Sequence, residues 1–274
     1  MSDPRGDRSQ EEAARPSALD GTALDELVPL RAEFARFMLE YQFGIEELKT
    51  KVEILRLEFV HLHEHNPIEH VNARLKSPES VIAKVARKGL DPSFETIRAS
   101  VTDIAGMRIT CSFVSDVYRV AEMLTRQADL TVLTVKDYIA APKANGYRSL
   151  HVLVQVPVFL SDEIVPVTVE VQLRTVAMDF WASLEHKIHY KFDREEVPVE
   201  VREGLARSAR TAADLDALME DLHRRVHGDG SVEPRRSDAV VPTDEVLEAL
   251  RHIRASRQPD GAQADTPGVR PPLV

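Results

Sequence analysis

From residue 24 to about residue 63, apolar side chains return every three or four positions: Leu27, Leu30, Phe34, Phe37, Met38 and Tyr41, then Ile45, Leu48, Val52, Leu55, Phe59 and Leu62. That spacing predicts helix, and Gly44, a poor helix former, divides it into two. Past residue 100 the period changes. Segments 103–113, 130–139 and 149–157 read as strands. Segment 164–173 alternates cleanly, with Val165, Val167, Val169 and Val171 on one face and Thr168, Glu170 and Gln172 on the other. Helical spacing resumes over 114–127, 175–189 and 199–226. In this order the elements predict an α+β fold, a mixed β-sheet flanked by helices with helical N- and C-terminal extensions.

Polar composition without periodicity marks both ends. Residues 1–20 are expected to be a disordered tail. From Gly228 onward the chain holds six of its sixteen prolines, so 229–274 is expected to be mostly disordered and Pro-rich, apart from a short helix at 244–253. The domain proper is then 21–228. At 274 residues, 43% hydrophobic and 29% charged, the chain can bury a real core. No apolar run approaches the roughly 18 to 20 residues of a membrane span, and the opening MSDPRGDRSQEEAARPS has no apolar signal region, so a cytoplasmic protein with no membrane partner is expected. The single cysteine, Cys111, excludes an internal disulfide and any zinc site built on two thiolates. A formal charge of -10 argues against a bulk nucleic-acid binder; DNA is not expected as a partner and RNA is not indicated. An anionic ligand must therefore meet a local basic cluster.

One such cluster is RLKSPESVIAKVARKG, with Arg74, Lys76, Ser80, Lys84, Arg87 and Lys88. Ser77 as N-cap, Pro78 in the first turn and Gly89 as terminator define a short helix whose N-terminus points back at Arg74 and Lys76. Free N–H groups, the helix dipole and lysines converging on one point suit a polyphosphate, and a solvated basic helix is the plain alternative. Asp103 and Glu170 stand in otherwise apolar strands, where acids are costly unless paired or bound to a metal; Mg²⁺ with a nucleotide triphosphate is one solution, a water-facing strand edge the other. Asp103 and Arg108 differ by five and would face opposite sides of a regular strand. Either Asp103 precedes the strand or Gly106 makes a bulge.

The loop PKANGYRSLH gathers Lys143, Asn145, Gly146, Tyr147, Arg148 and His151, which suits base stacking beside phosphate contacts, though a plain Asn-Gly turn has the same composition. In 175–189, Met178, Trp181, Leu184 and Ile188 form a stripe expected to be core, with His186 and Lys187 outside it. His61, His63, His65 and His70 crowd together without HExxH spacing, and a metal site is not expected there.

Taken in order, NPIEHVNARLKSPESVIAKVARKG, DIAGMRITCSF, DYIAAPKANGYRSLH and VEVQLRTVAMDFWASLEHKIHYK resemble the synthetase domain of the RelA/SpoT proteins, above all its stand-alone form, the small alarmone synthetases. The motifs span residues 66–191, and the flanking helices extend the resemblance to roughly 24–228. It implies a nucleotidyltransferase-like mixed sheet and a GTP/GDP pyrophosphokinase that moves pyrophosphate from ATP to the 3′-hydroxyl of GDP or GTP. It places Arg74 and Arg108 on either side of the adenine, where planar guanidinium groups stack. Lys76, Ser80 and Lys84 would hold the ATP phosphates. Asp103 and Glu170 would ligate Mg²⁺, with Glu170 also the base for the 3′-hydroxyl. Tyr147 would stack on guanine, Lys143, Asn145 and His151 would orient the acceptor nucleotide, and Gln172 and Arg174 would support them.

Two features set this chain apart from relatives. The long bifunctional members carry a hydrolase domain with a His-Asp motif; no His-Asp dipeptide occurs here, so no hydrolase activity is expected. Product-activated stand-alone members carry an aromatic and a threonine where this chain has His70 and Asn72, so product activation is not expected. Such members commonly form tetramers through their terminal helices, and the series Leu205, Ala212, Leu215, Leu218, Met219, Leu222 and Val226 fits a buried helix face, which implies a homotetramer. The competing expectation is a catalytically inactive nucleotide- or RNA-binding module on the same scaffold.

Overall fold

A computed structural model describes residues 21–63, 65–190, 197–228 and 244–256. The expected tails at 1–20 and 229–274 lie outside the described residues, apart from one helix. In chain order the elements are α1 (Gly21–Leu62), β1 (Ile68–Leu75), α2 (Pro78–Lys88), α3 (Phe94–Ser100), β2 (Ala105–Cys111), α4 (Val114–Thr125), β3 (Thr131–Asp137), β4 (Leu150–Phe159), β5 (Ile164–Thr175), α5 (Val176–Tyr190), α6 (Val199–His227) and α7 (Asp244–Ser256). The sheet runs β1-β2-β5-β4-β3, parallel only between β2 and β5. It is the mixed sheet that the alternation predicts.

One face of the sheet is dry. Met107 and Ile109 of β2, Val152, Val154 and Val156 of β4 and Val167, Val169, Val171 and Leu173 of β5 are all buried there, under Phe37, Tyr41, Leu48 and Val52 of α1 and Val117, Val120 and Leu124 of α4. A second, smaller core joins α5 to α6 through Trp181, Ala182, Leu205 and Ala209. Because strand residues alternate, burying the valines turns Gly106, Arg108, His151, Glu170 and Gln172 to the opposite face.

Several expectations are corrected. The first helix is one continuous α1, unbroken at Gly44. A Cβ on Gly44 would come within 2.6 Å of Val167 Cγ1, so this glycine lets helix and sheet approach closely. Tertiary packing outweighs the propensity that suggested a break. Gly44→Ala is therefore expected to destabilise the protein by about 1–2 kcal/mol, because overpacking of about 1–3 kcal/mol exceeds alanine's helical advantage of up to about 1. A lower urea midpoint would register this; a higher one would mean that Gly44 is merely a weak point in a helix.

Leu27, Leu30 and Leu62, part of the apolar spacing that predicts helix, are exposed on α1. The segment before Lys76, for which the sequence pattern predicts no strand, is the edge strand β1, in which Ile68 alone is buried. Helix α3, capped by Ser93, was not expected at all. Leu184 and Ile188 of α5 are 39% exposed, so the expected core stripe ends after Met178 and Trp181. On α6 Leu205 is buried, whereas Leu215, Leu218, Met219, Leu222 and Val226 are exposed. Among the described residues no helix is long and apolar enough to cross a membrane.

Candidate active site

Strand register assembles the centre. Across neighbouring strands Arg74 stands beside Gly106 and Gly106 beside Glu170; one step along, Asn72 stands beside Arg108, Arg108 beside Gln172 and Gln172 beside His151. Two rows of polar side chains thus cross the face opposite the valines. All of them but His151 line a cleft of about 360 Å³ together with Asp103. Asp103 precedes β2, which is regular through Gly106, so the parity problem is resolved without a bulge. A Cβ on Gly106 would meet no protein atom nearer than 3.8 Å. Packing does not demand this glycine; its missing side chain keeps the cleft floor open.

The basic segment folds as its sequence suggests, and its cations separate. Ser77 Oγ caps α2 by accepting from the Ser80 N–H, and Gly89 ends it at φ 62°. Lys76 on one side and Lys84 on the other both reach Asp103, with Nζ–Oδ distances of 2.7 Å each. Burial alone would push the Asp103 carboxyl up, but the two lysine hydrogen bonds outweigh it and hold the group below its ordinary value. Ser80 is exposed, its Oγ 3.0 Å from Ser77 Oγ. Lys88 turns away and donates to the Ser100 carbonyl. Arg74 is exposed on β1 at the cleft edge.

Glu170 sits at mid-β5. Its Oε2 accepts from Gln172 Nε2 at 2.9 Å and its Oε1 lies 3.3 Å from His151 Nδ1. The His151 hydrogen bond, opposed by burial and reinforced by Gln172, holds this carboxyl below its ordinary value, while the charge of Asp103 pushes the other way. Two ionised carboxylates therefore face one cleft. Among the described residues no group of three or more His, Cys, Asp and Glu converges as a metal cage. His65, in the histidine-rich stretch, lies 2.9 Å from Asp116.

The 142–151 loop closes one flank. Gly146 adopts φ 93°, and a Cβ there would come within 2.5 Å of Ala209, so a glycine is required on both counts. Asn145 is committed to the turn: its Oδ1 accepts from the Tyr147 N–H and its Nδ2 donates to Glu185. Tyr147 Oη lies 2.7 Å from His151 Nε2 and accepts from Arg174 Nη2 at 2.7 Å. Lys143 lies over the rings of both Tyr138 and Tyr147 at 4.6 and 4.7 Å, so a base stacking on that side of Tyr147 must displace an exposed lysine. His186 and Lys187 are exposed on α5.

Asp179 escaped the sequence reading. In the first turn of α5, its Oδ1 lies 3.1 Å from both Arg108 Nη1 and Arg174 Nη1, joining the two sides of the cleft. The one sequence signal was an acid five residues beyond a strand-end arginine. Asn72, read only as a departure from the product-activation pattern, lines the cleft, and Tyr138, under Lys143, was missed.

Residues 73–195 match the family described as a region found in RelA / SpoT proteins. The chain is 43% identical over 208 residues to GTP pyrophosphokinase YwaC of Bacillus subtilis, covering 76% of this chain and 99% of that one. It is 39% identical over 194 residues to GTP pyrophosphokinase YjbM of the same organism, covering 71% and 90%. Among solved structures, small alarmone synthetase 1 from Bacillus subtilis bound to its product pppGpp superposes with a TM-score of 0.65 at 38% identity, covering 71% of this chain and 98% of that one.

Proposed function

The chain belongs to the RelA/SpoT family, and on that premise we propose that it is a (p)ppGpp synthetase, which transfers the pyrophosphoryl group of ATP to the 3′-hydroxyl of GDP or GTP and works without hydrolase activity. The observation that carries this reading is the convergence of Arg74, Arg108, Asp103 and Glu170 on one cleft with Tyr147 and His151 on its flank. In the transfer the 3′-oxygen bonds to the β-phosphorus, the bridging oxygen leaves with AMP, and the hydroxyl proton must go to a base. Glu170, ionised and lining the cleft, is the acceptor we assign. Its depressed basicity limits what proton transfer alone contributes, so positioning and charge neutralisation carry much of the barrier.

Arg74 and Arg108, on the same sheet face one residue pair apart, would clasp the adenine between guanidinium planes. Lys76 and Lys84, with Ser80 at the start of α2, would hold the phosphates. Tyr147 would carry the guanine, with Lys143, Asn145 and His151 orienting the acceptor. Asp103 and Glu170 fit Mg²⁺, which binds by one or two carboxylates together with substrate phosphates; it would neutralise charge on the transferred group. We further propose a cytoplasmic homotetramer. The apolar groove of about 810 Å³ between α5 and α6, lined by Phe180, Leu184, Ile188, Leu215 and Met219, supports self-association.

Incubation of the purified protein with γ-labelled ATP, GDP and Mg²⁺ tests the reading. Labelled ppGpp is the expected product; no product would make the chain a nucleotide-binding module, and labelled free pyrophosphate would mean different chemistry. Tyr147→Ala should then raise the apparent KM for the guanine nucleotide by the worth of one stack, about 1–3 kcal/mol, with the KM for ATP nearly unchanged. Equal weakening of both nucleotides would show Tyr147 to be structural.

A further inference from the structure

On the flank of the cleft runs a closed circuit of hydrogen bonds whose direction is set at its two ends, the Arg174 guanidinium and the Glu170 carboxylate. Arg174, 4% exposed at the end of β5, places Nη2 2.7 Å from Tyr147 Oη and 2.7 Å from Gln172 Oε1. A guanidinium only donates, so both oxygens must accept. With its carbonyl turned to Arg174, Gln172 presents its NH₂ to Glu170 Oε2. On the other arm, Tyr147 Oη receives from Arg174 and lies 2.7 Å from His151 Nε2; since an ionised Glu170 can only accept at Nδ1, Nε2 is the ring nitrogen left to take the Tyr147 hydrogen. A neutral imidazole that accepts at Nε2 carries its hydrogen on Nδ1, and Nδ1 faces Glu170 Oε1. Two arms from one guanidinium thus end on the two oxygens of one carboxylate. Each oxygen keeps a lone pair for the cleft.

We propose that Arg174 is a positioning residue for the reaction: through Tyr147 it reinforces the Nδ1–H tautomer of His151, and through that imidazole and Gln172 it orients the Glu170 carboxylate. Asp179 balances the Arg174 charge and touches Arg108 with the same oxygen, so the arrangement reaches the opposite side of the cleft. Tyr147 then has two tasks, a ring for the acceptor base and a hydroxyl for the carboxylate. The catalytic consequence rests on the synthetase reading; the tautomer does not.

Tyr147→Phe separates the two tasks, because it keeps the ring and removes only the hydroxyl that links Arg174 to His151. In ligand-free, full-length protein carrying ¹⁵N-histidine, spectra at pH 8 should show His151, assigned by the signal lost in His151→Gln, as the Nδ1–H tautomer. In Tyr147→Phe that preference should weaken measurably, because only the Glu170 carboxylate, 3.3 Å from Nδ1, still favours it. Arg174→Gln should have the same effect, since an amide can donate or accept and no longer imposes a direction. Kinetically, Tyr147→Phe should lower kcat about tenfold, the usual cost of losing a partner that orients a ligating group, with less than about a twofold change in the KM for GDP. Wild-type His151 protonated on Nε2, or a tautomer unchanged in Tyr147→Phe, would overturn the proposal. So would a raised KM at unchanged kcat. A wild-type protein with no synthetase activity would instead overturn the functional reading, while the tautomer would still decide whether Arg174 directs the circuit.

Discussion

Glu170→Gln should cut pyrophosphate transfer by at least about a hundredfold, the minimum usually lost with a positioned base, while the protein stays folded. Glutamine has the shape of glutamate, so the alternation of β5 and the buried Val169 and Val171 on either side are undisturbed. What goes is the negative charge beside the phosphates, together with the acceptor for the hydroxyl proton. Stability should fall modestly at neutral pH, and its sign follows from the folded carboxyl being held below its ordinary value of 4.5. A group with a depressed pKa contributes stability above its unfolded pKa and loses it as pH falls through the folded one. The gap between wild type and Glu170→Gln should thus be present at pH 7 and close progressively below about pH 4.5. Residual turnover above about a tenth of wild type would remove Glu170 from both roles.

The parts of this fold that the sequence disclosed are those where a period survives packing. Valines at every second position of β5 predicted which way Glu170 and Gln172 point, and Ser77, Pro78 and Gly89 bounded α2 by local chemistry alone. What stayed hidden has physical reasons. Strand β1 buries one residue of eight, so it carries no alternation to read. Helix α3 has seven residues, too few for two turns of periodicity. Gly44 was misread because its reason lies across the core at Val167. Leu184, Ile188 and Leu215 repeat at helical spacing, yet the groove they line lies open on this chain. Spacing reports an apolar face without reporting what covers it.

The site divides in the same way. Its residue types were legible, since carboxylates in apolar strands and lysines around a helix start are unusual enough to notice. Their pairings were not, because Lys76 and Asp103, or Tyr147 and Arg174, stand 27 residues apart in sequence and meet only through sheet register. Asp179 is the clearest case: read alone it is an acid in the first turn of a helix, which the helix dipole explains without remainder. Its contacts with Arg108 and Arg174 give it a different meaning.

Asp103 carries the second large effect, and two measurements on it should move in opposite directions. In the ligand-free chain Lys76 and Lys84 are both spent on Asp103. If these lysines serve the ATP phosphates, a nucleotide must draw them away from the aspartate, and a cation at Asp103 and Glu170 would ease the exchange by replacing their charge. Asp103→Asn should abolish synthesis, a loss of at least about a hundredfold, since it removes one of the two carboxylates from the cleft. With divalent cations chelated, the same variant should bind ATP more tightly than wild type by about threefold to tenfold, or about 0.7–1.4 kcal/mol, because both lysines are released. Calorimetric titration of ATP in excess EDTA reads this directly. Weaker metal-free binding in Asp103→Asn would show that Asp103 holds the lysines in place for the phosphates, and the exchange of partners would have to be abandoned.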